Sequence, residues 1–486
     1  MTAGAEAGGP GPSGEVGATD TRGAAGDVST WRPATRNPLI EAGPGGALPP
    51  LPRTAWLEID LDAVVSNVRL LRGILPPGAR VEPVVKADAY GHGAVAVARA
   101  LVADGSRSLA VATFDEALEL RQAGLDVPIL ILFPIPAELA PDARRHRLSI
   151  AAGDRDLLGR TLAALEAAPS SGGRRDRLDV HLEVETGLGR GGVGPEEAAE
   201  VAAAIQASPH ARLAGLWSHL QSGGDAGITA RQEERFGEAA RLLEAAGVTL
   251  PIRHFTASGG LLAATAGTYD VVRVGIAIYG MVPDGLVASA ATAALAAGLR
   301  PAMALRARPT RVAWLDRGTG ISYGPTFVTG RRSRIATLPL GYADGYPRSL
   351  SNRAEVLVRG IRAPQVGTVA MDAIMVDVTD IPGPPITVGD EFTLIGSGGG
   401  DRISALEVAR WGNTISHEVL ASMSGRLPRV YYAAARAVGM RAVACEASRG
   451  SGSHGGRQPR RPGGGVGSVR PRVTREPPDD NGEHRT

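Results

Sequence analysis

The sequence predicts an α/β protein, with an N-terminal (β/α)8 barrel followed by a second, mostly β C-terminal domain. From about residue 57, short apolar runs alternate with amphipathic stretches. Roughly eight strand–helix units in succession imply parallel β/α units that close into a barrel. After about residue 297 helical periodicity gives way to short β-rich runs separated by Gly, Pro and Asp turns. The expected organisation is a barrel over 55–296 and a β domain over 297–433. The extensions at 1–50 and 447–486 are expected to be disordered, the second one basic, because both are rich in Gly and small or polar residues without a sustained period.

The barrel strands are expected at 82–86, 108–112, 128–133, 148–151, 178–184, 212–218, 252–257 and 270–275, each a short apolar run bounded by turn residues. Helices are expected between them at 61–74, 93–103, 114–124, 155–168, 195–207 and 228–246. Asp60 is placed to cap the first helix, and Gly124 and Gly247 follow helical ends. In the second domain the β-rich runs are Ala304–Leu315, Ile335–Pro339, Ala354–Val358, Ile374–Val378 and Glu391–Ile395, interrupted by helices near 404–411 and 413–423.

Composition narrows the class. The 486 residues are 43% hydrophobic and 21% charged, enough for two domains with real cores. A net charge of +2 carries no nucleic-acid footprint. The lone cysteine, Cys445, excludes an internal disulfide framework and fits a reducing compartment. No stretch has the apolar core of a signal peptide or the roughly 18 apolar residues of a membrane span. The expectation is a cytoplasmic protein with no membrane partner and no metal site.

Lys86 is the residue most suggestive of chemistry. It closes the apolar run Val81-Glu82-Pro83-Val84-Val85 and opens the polar turn Lys86-Ala87-Asp88-Ala89-Tyr90-Gly91-His92-Gly93. A strand that ends in lysine at a loop mouth is where an α/β barrel keeps its chemistry. A lysine desolvated there loses its proton near neutral pH and can form a Schiff base. Taken alone, such a lysine is more often an ordinary surface residue; the whole string is what singles it out.

That string resembles the pyridoxal-phosphate lysine motif of the alanine racemase family. Further stretches match the same pattern, in order, over roughly residues 55–433. The resemblance implies a pyridoxal 5'-phosphate enzyme of fold type III, a homodimer with shared active sites, and interconversion of L- and D-alanine that supplies D-alanine for peptidoglycan. It makes Lys86 one of two acid/base groups. Tyr323, in Gly320-Ile321-Ser322-Tyr323-Gly324, is the other, entering from the second subunit. Racemisation needs two such groups on opposite faces of Cα, because a single one returns the proton to the side it came from. A free tyrosine titrates at about 10, so Tyr323 needs nearby positive charge or hydrogen bonds to act as a base.

For the cofactor, the resemblance brings in Lys86, Tyr90, His219, Ser258, Arg273, Gly275 and Ile276. Gly275 lets the backbone approach a phosphate, with amides at Gly275 and Ile276 and the Ser258 hydroxyl as donors. Arg273, permanently cationic, would face the pyridine nitrogen and keep it from gaining its own proton. His219 and His254 match the histidines flanking that arginine. For the substrate, Arg190 and the Met371 amide would hold the carboxylate, Asp372 lies near the same pocket, and Tyr342 narrows the entrance. This chain departs from the family at three positions. Glu183 stands where a lysine, typically carbamylated, orients the arginine; His417 stands where tyrosine is usual; and Ala257 stands where asparagine is frequent. Glu183 supplies a carboxylate directly, whereas the smaller His417 opens room for a hydroxymethyl group. A serine or broad-specificity racemase is therefore an alternative, as is a non-catalytic pyridoxal-phosphate carrier on the same barrel. A decarboxylase would attack the carboxylate that Arg190 and Met371 protect. A metal-dependent aldolase would need a His/Cys ligand pair in the β domain, where His417 stands alone.

Overall fold

The computed structural model describes residues 39–43, 47–169, 176–249 and 252–443. Most of both extensions and Cys445 lie outside these residues. The chain opens with β1 (Leu39–Glu41) and β2 (Ala55–Asp60), then α1 (Leu61–Arg72), β3 (Arg80–Pro83), α2 (Lys86–Tyr90) and α3 (Ala94–Ala103). Next come β4 (Leu109–Val111), α4 (Phe114–Gln122), β5 (Ile129–Ile131), α5 (Ala140–Arg145), β6 (Leu148–Ala152), α6 (Arg155–Ala167) and β7 (Leu178–Glu183). α7 (Ala198–Ala207), β8 (Ala211–Trp217), α8 (Ala226–Ala245), β9 (Ile252–Ala257), α9 (Ser258–Ala263) and β10 (Val271–Val274) complete the first half.

β3 to β10 form one eight-stranded parallel sheet in the order β3-β10-β9-β8-β7-β6-β5-β4. A parallel bridge between Val84 and Ala110 and the bond from Val85 N to Ala110 O (2.8 Å) join its two ends. Seven of the eight strands lie on the runs expected from the sequence, and β3 starts two residues before its expected run and stops at Pro83. β4, β5 and β6 are buried along their whole length, which is why they read as unbroken apolar runs. α1 presents Leu61, Val64, Val68 and Leu71 to the core at helical spacing, and the Asp60 carboxylate caps it by accepting from Ala63 N at 2.8 Å.

After α10 (Ala293–Gly298) the chain turns to strands: β11 (Met303–Ala307), β12 (Arg311–Leu315), β13 (Gly320–Ile321), β14 (Phe327–Val328), β15 (Ser333–Leu338), β16 (Glu355–Val358), β17 (Ile361–Pro364) and β18 (Ile374–Asp377). It ends with β19 (Phe392–Gly398), β20 (Asp401–Ile403), α11 (Ala405–Gly412), α12 (Ser416–Ala421), β21 (Arg429–Ala433) and β22 (Arg436–Arg441). The main sheet runs β1-β22-β21-β2-β11-β19-β16-β17, with β20 beside β19. β12-β15-β18 and the hairpin β13-β14 make two smaller sheets.

The structure differs from the sequence expectation in four places. The run Ala304–Leu315 is two strands in different sheets, because Pro309 has no N–H to continue a ladder. β2 pairs with β11 and β21, so Ala55–Asp60 belongs to the β sheet although it precedes the barrel in sequence. Within the stretch expected to be disordered, Leu39–Glu41 pairs with β22, and Ile40 packs on Trp56, Val430 and Met440. The chain also continues as strand beyond 433, through β22. The placements of β1 and β2 depend on partners distant in sequence, which local periodicity does not register, whereas β22 folds back on its neighbour β21.

Candidate active site

The mouth of the barrel is assembled from adjacent strand ends. β10 pairs with β3 on one side and β9 on the other. Lys86 therefore follows β3, Gly275 follows β10 and Ser258 follows β9 at three neighbouring positions of one rim. Lys86 does not end its strand as expected: β3 stops at Pro83, and Lys86 opens α2. Burial lowers the Lys86 pKa, the Arg190 charge lowers it further, and Glu116 partly opposes them.

Tyr90, Ser258 and Gly275 converge beside it. Gly275 N donates to Ser258 Oγ at 3.2 Å, and a Cβ on Gly275 would lie 2.3 Å from Tyr90 Oη. A side chain there would displace the Tyr90 phenol. Burial pushes the Tyr90 phenol up to about 12, so it remains a donor at neutral pH. Ile276 opens the short 3-10 turn that follows.

Arg273, on β10, is fully enclosed. Its Nη1 donates to His254 Nδ1 (2.7 Å) and His254 O (2.9 Å), and its Nη2 to Ser218 O (2.6 Å) and His219 Nδ1 (3.3 Å). Its guanidinium lies 4.8 Å from the Trp217 ring centroid. Burial pulls its pKa down to about 10, with Glu82 and Glu183 opposing, so it stays charged at neutral pH. A guanidinium has no acceptor, so His254 must accept at Nδ1 and carry its proton at Nε2, from which it donates to His181 Nδ1 at 2.8 Å. Burial and the Arg273 charge drive His219 down to about 3 and His254 well below its ordinary value. Both are neutral acceptors.

Arg190 approaches the same space from the loop after β7. Its Nη2 is 3.5 Å from Glu183 Oε1, and its guanidinium lies 5.2 Å from the Phe133 ring centroid. Burial raises the Glu183 carboxyl, while Arg190 lowers it. His417, at the start of α12, lies 6.1 Å ring to ring from Tyr90 and senses the Lys86 charge. Asp284 anchors that helix start through Ser416 N and Ser416 Oγ, both at 2.6 Å. Ala257 is the last residue of β9, directly before Ser258.

Tyr323, Tyr342 and Met371 form a second group, on the β domain. The Tyr323 loop is tied down by Ser322 Oγ donating to Thr368 O (2.7 Å), and Tyr342 N donates to Ala370 O (3.1 Å). All three residues are exposed on their own chain, at 75%, 43% and 51%. Asp372 accepts from Arg426 Nη2 at 2.6 Å.

Sequence reasoning passed over Phe133, Glu116 and the set around Asp88. α2 is a left-handed turn: Ala87, Asp88, Ala89 and Tyr90 have φ between 51° and 54°. Left-handed helix costs L-residues about 1–2 kcal/mol each, so the turn must be held from outside. Glu116 Oε1 accepts from Ala87 N (2.6 Å), His92 Nδ1 lies 2.9 Å from Tyr90 O, and Asp88 Oδ1 accepts from Ala94 N (2.8 Å). The capping pattern Thr113-x-x-Glu116 was the one sequence signal available.

Residues 59–283 match the family model for the alanine racemase N-terminal domain, and residues 302–431 match the C-terminal one. The chain is 43% identical over 381 residues to an alanine racemase of Symbiobacterium thermophilum, covering 78% of this chain and 97% of that protein. It is 39% identical to one from Halothermothrix orenii, again over 78% of this chain and 97% of that protein. Among solved structures, the alanine racemase of Streptomyces coelicolor A3(2) aligns with a TM-score of 0.71 at 36% identity, covering 78% of this chain and 98% of that one. The Bacillus anthracis alanine racemase with bound L-Ala-P aligns with a TM-score of 0.73 at 31% identity, covering 81% and 98%. Both domains are matched in order and nearly the whole length of each relative is spanned, so this chain belongs to the alanine racemase family.

Proposed function

We propose that this chain racemises alanine with Lys86 and Tyr323 of the partner subunit as the two acid/base groups, one on each face of the substrate Cα. The observation that carries the reading is the amine of Lys86, depressed by burial and by Arg190 at the rim where β3, β10 and β9 end together. The exposure of Tyr323 on its own chain supports its use by a second copy in a homodimer.

The cofactor of the family is pyridoxal phosphate, and the residues present fit it. A desolvated amine is available to its aldehyde, and the corner of Gly275, Ser258 and Tyr90 offers hydroxyl and amide donors where no Cβ intrudes. Pyridoxal phosphate held here would supply an aldehyde for the substrate amine and an electron sink for Cα. Lys86, Tyr90, Ser258, Gly275 and Ile276 would hold it, and Arg273 with His219 would face its ring nitrogen. Arg273 keeps its own proton at neutral pH, so it would offer that nitrogen a hydrogen bond and no proton. Arg190 and the Met371 amide would hold the substrate carboxylate away from the reacting atoms, and Tyr342 would narrow the entrance. Lys86 Nζ then takes or returns a proton on one face and Tyr323 Oη of the partner subunit on the other. Glu183, in ion-pair contact with Arg190, supplies the carboxylate that orients it. The D-alanine serves cell-wall peptidoglycan, made in the cytoplasm.

His417, beside Tyr90 and within reach of Lys86, favours a second reading in which serine is also accepted. Racemisation of L-alanine and L-serine by purified, cofactor-loaded protein separates the two, with Lys86→Ala as control. Fast, Lys86-dependent D-alanine formation with little D-serine is the expected result. Comparable D-serine would transfer the assignment to a broad-specificity racemase, and no product from either would end it.

A further inference from the structure

The left-handed turn that begins at Lys86 is gripped by the far end of the chain. Arg441, the last residue of β22, donates from Nη1 to Asp88 Oδ1 at 2.7 Å and from Nη2 to Asp88 Oδ2, a bidentate pair. Arg429, on β21, places Nη2 3.6 Å from Asp88 Oδ2 and donates from Nε to Gly91 O at 2.8 Å. Arg429 and Arg441 are direct cross-strand partners. Like charges in that position repel each other unless an anion lies between them, and Asp88 is that anion. Burial raises the Asp88 carboxyl, but the bond and charge of Arg441 and the charge of Arg429 outweigh it and hold it below its ordinary value.

Close packing leaves the turn little alternative. A Cβ on Gly91 would lie 2.1 Å from Leu420 O, and one on Gly93 would lie 2.0 Å from Tyr431 Oη. β21 and α12 therefore press on the same segment that Arg441 grips. Arg441 also lies ten residues past the end of the match to the family's C-terminal domain, at residue 431.

We propose that Arg441 is a positioning residue for the racemase reaction, acting through Asp88 to hold the left-handed turn that aims Lys86 into the barrel mouth. This rests on the reading of Lys86 as the cofactor-bearing lysine. β22 is thereby a working part of the active site that acts through Asp88.

The test uses full-length wild type, Arg441→Met, Arg441→Lys, Asp88→Asn and Lys86→Ala. Each is stripped of cofactor, and pyridoxal phosphate is added while its visible absorbance is followed; thermal melting, kcat and KM for L-alanine are then measured. Displacing Lys86 by about 1 Å predicts capture and kcat about 100-fold slower in Arg441→Met and Asp88→Asn, with KM within about twofold. Arg441→Lys, which keeps the charge without the fork, recovers part of the loss. Wild-type capture and kcat in Arg441→Met, even at a lower melting temperature, would leave Arg441 a merely structural residue and overturn the proposal. Should Arg441→Met fail to fold, wild-type behaviour of both Arg441→Lys and Asp88→Asn overturns it equally. Lys86→Ala tells the two readings apart: if it captures cofactor like wild type, the Lys86 reading has failed.

Discussion

Arg190 carries more than one electrostatic load. Its guanidinium contacts both the Glu183 carboxylate and the Phe133 ring, and after burial its charge is the largest influence lowering the Lys86 pKa. A cation beside an amine disfavours the ammonium form, so removing that cation raises the Lys86 pKa. At a given pH less of the amine is then neutral. In Arg190→Leu the pH profile of pyridoxal-phosphate capture by cofactor-free protein should therefore shift to higher pH. A profile that coincides with wild type would mean that burial alone sets the amine. Arg190→Lys, which keeps a charge on a longer-ranging and less directional group, should fall between the two.

At the scale of elements, β7 and β8 pair with a register shift at Val180/His181 and then match His181 with Gly215. A Cβ on Gly215 would lie 2.1 Å from His181 Nδ1, the atom that accepts from His254. Neither strand can yield, because both are central in the barrel sheet. Gly215→Ala should therefore destabilise the fold by about 1–3 kcal/mol, the usual cost of an overpacked core. It should also disturb the line from His181 through His254 to Arg273. Denaturant unfolding of the variant checks this, and an unchanged midpoint would show that the histidine ring moves aside freely.

For the whole molecule, the question is where each catalytic group comes from. Tyr323, Tyr342 and Met371 are gathered on an exposed face of the β domain, whereas Lys86, Arg273 and Ser258 are gathered at the barrel mouth. If each site joins Lys86 of one protomer to Tyr323 of the partner subunit, then Lys86→Ala and Tyr323→Phe chains must complement each other. A heterodimer of the two inactive variants has one site with both residues intact. Random exchange of a closed twofold dimer places half the protomers in such heterodimers, so about a quarter of wild-type activity should return on mixing. No recovery after demonstrated subunit exchange would place both groups in one chain.

The barrel strands were legible in the sequence because each is a short, largely apolar run; β4, β5, β6 and β10 are buried along their whole length, and burial of a parallel sheet on both faces leaves an apolar signature that needs no partner to be read. The Lys86, Arg273 and Tyr323 strings were legible as resemblance, since motif order survives without coordinates. The main sheet was not legible. β1, β2 and β22 join it from opposite ends of the chain, and pairing at that separation leaves no local period. Nor does any sequence rule predict four L-residues in a left-handed turn, because local propensity argues against it. The sequence by itself determined the barrel, the second domain and the residue types of the site. Only the tertiary structure decided how the turn after Lys86 is held, since Glu116, Arg429 and Arg441 meet Ala87 and Asp88 only after the chain has folded back on its own beginning.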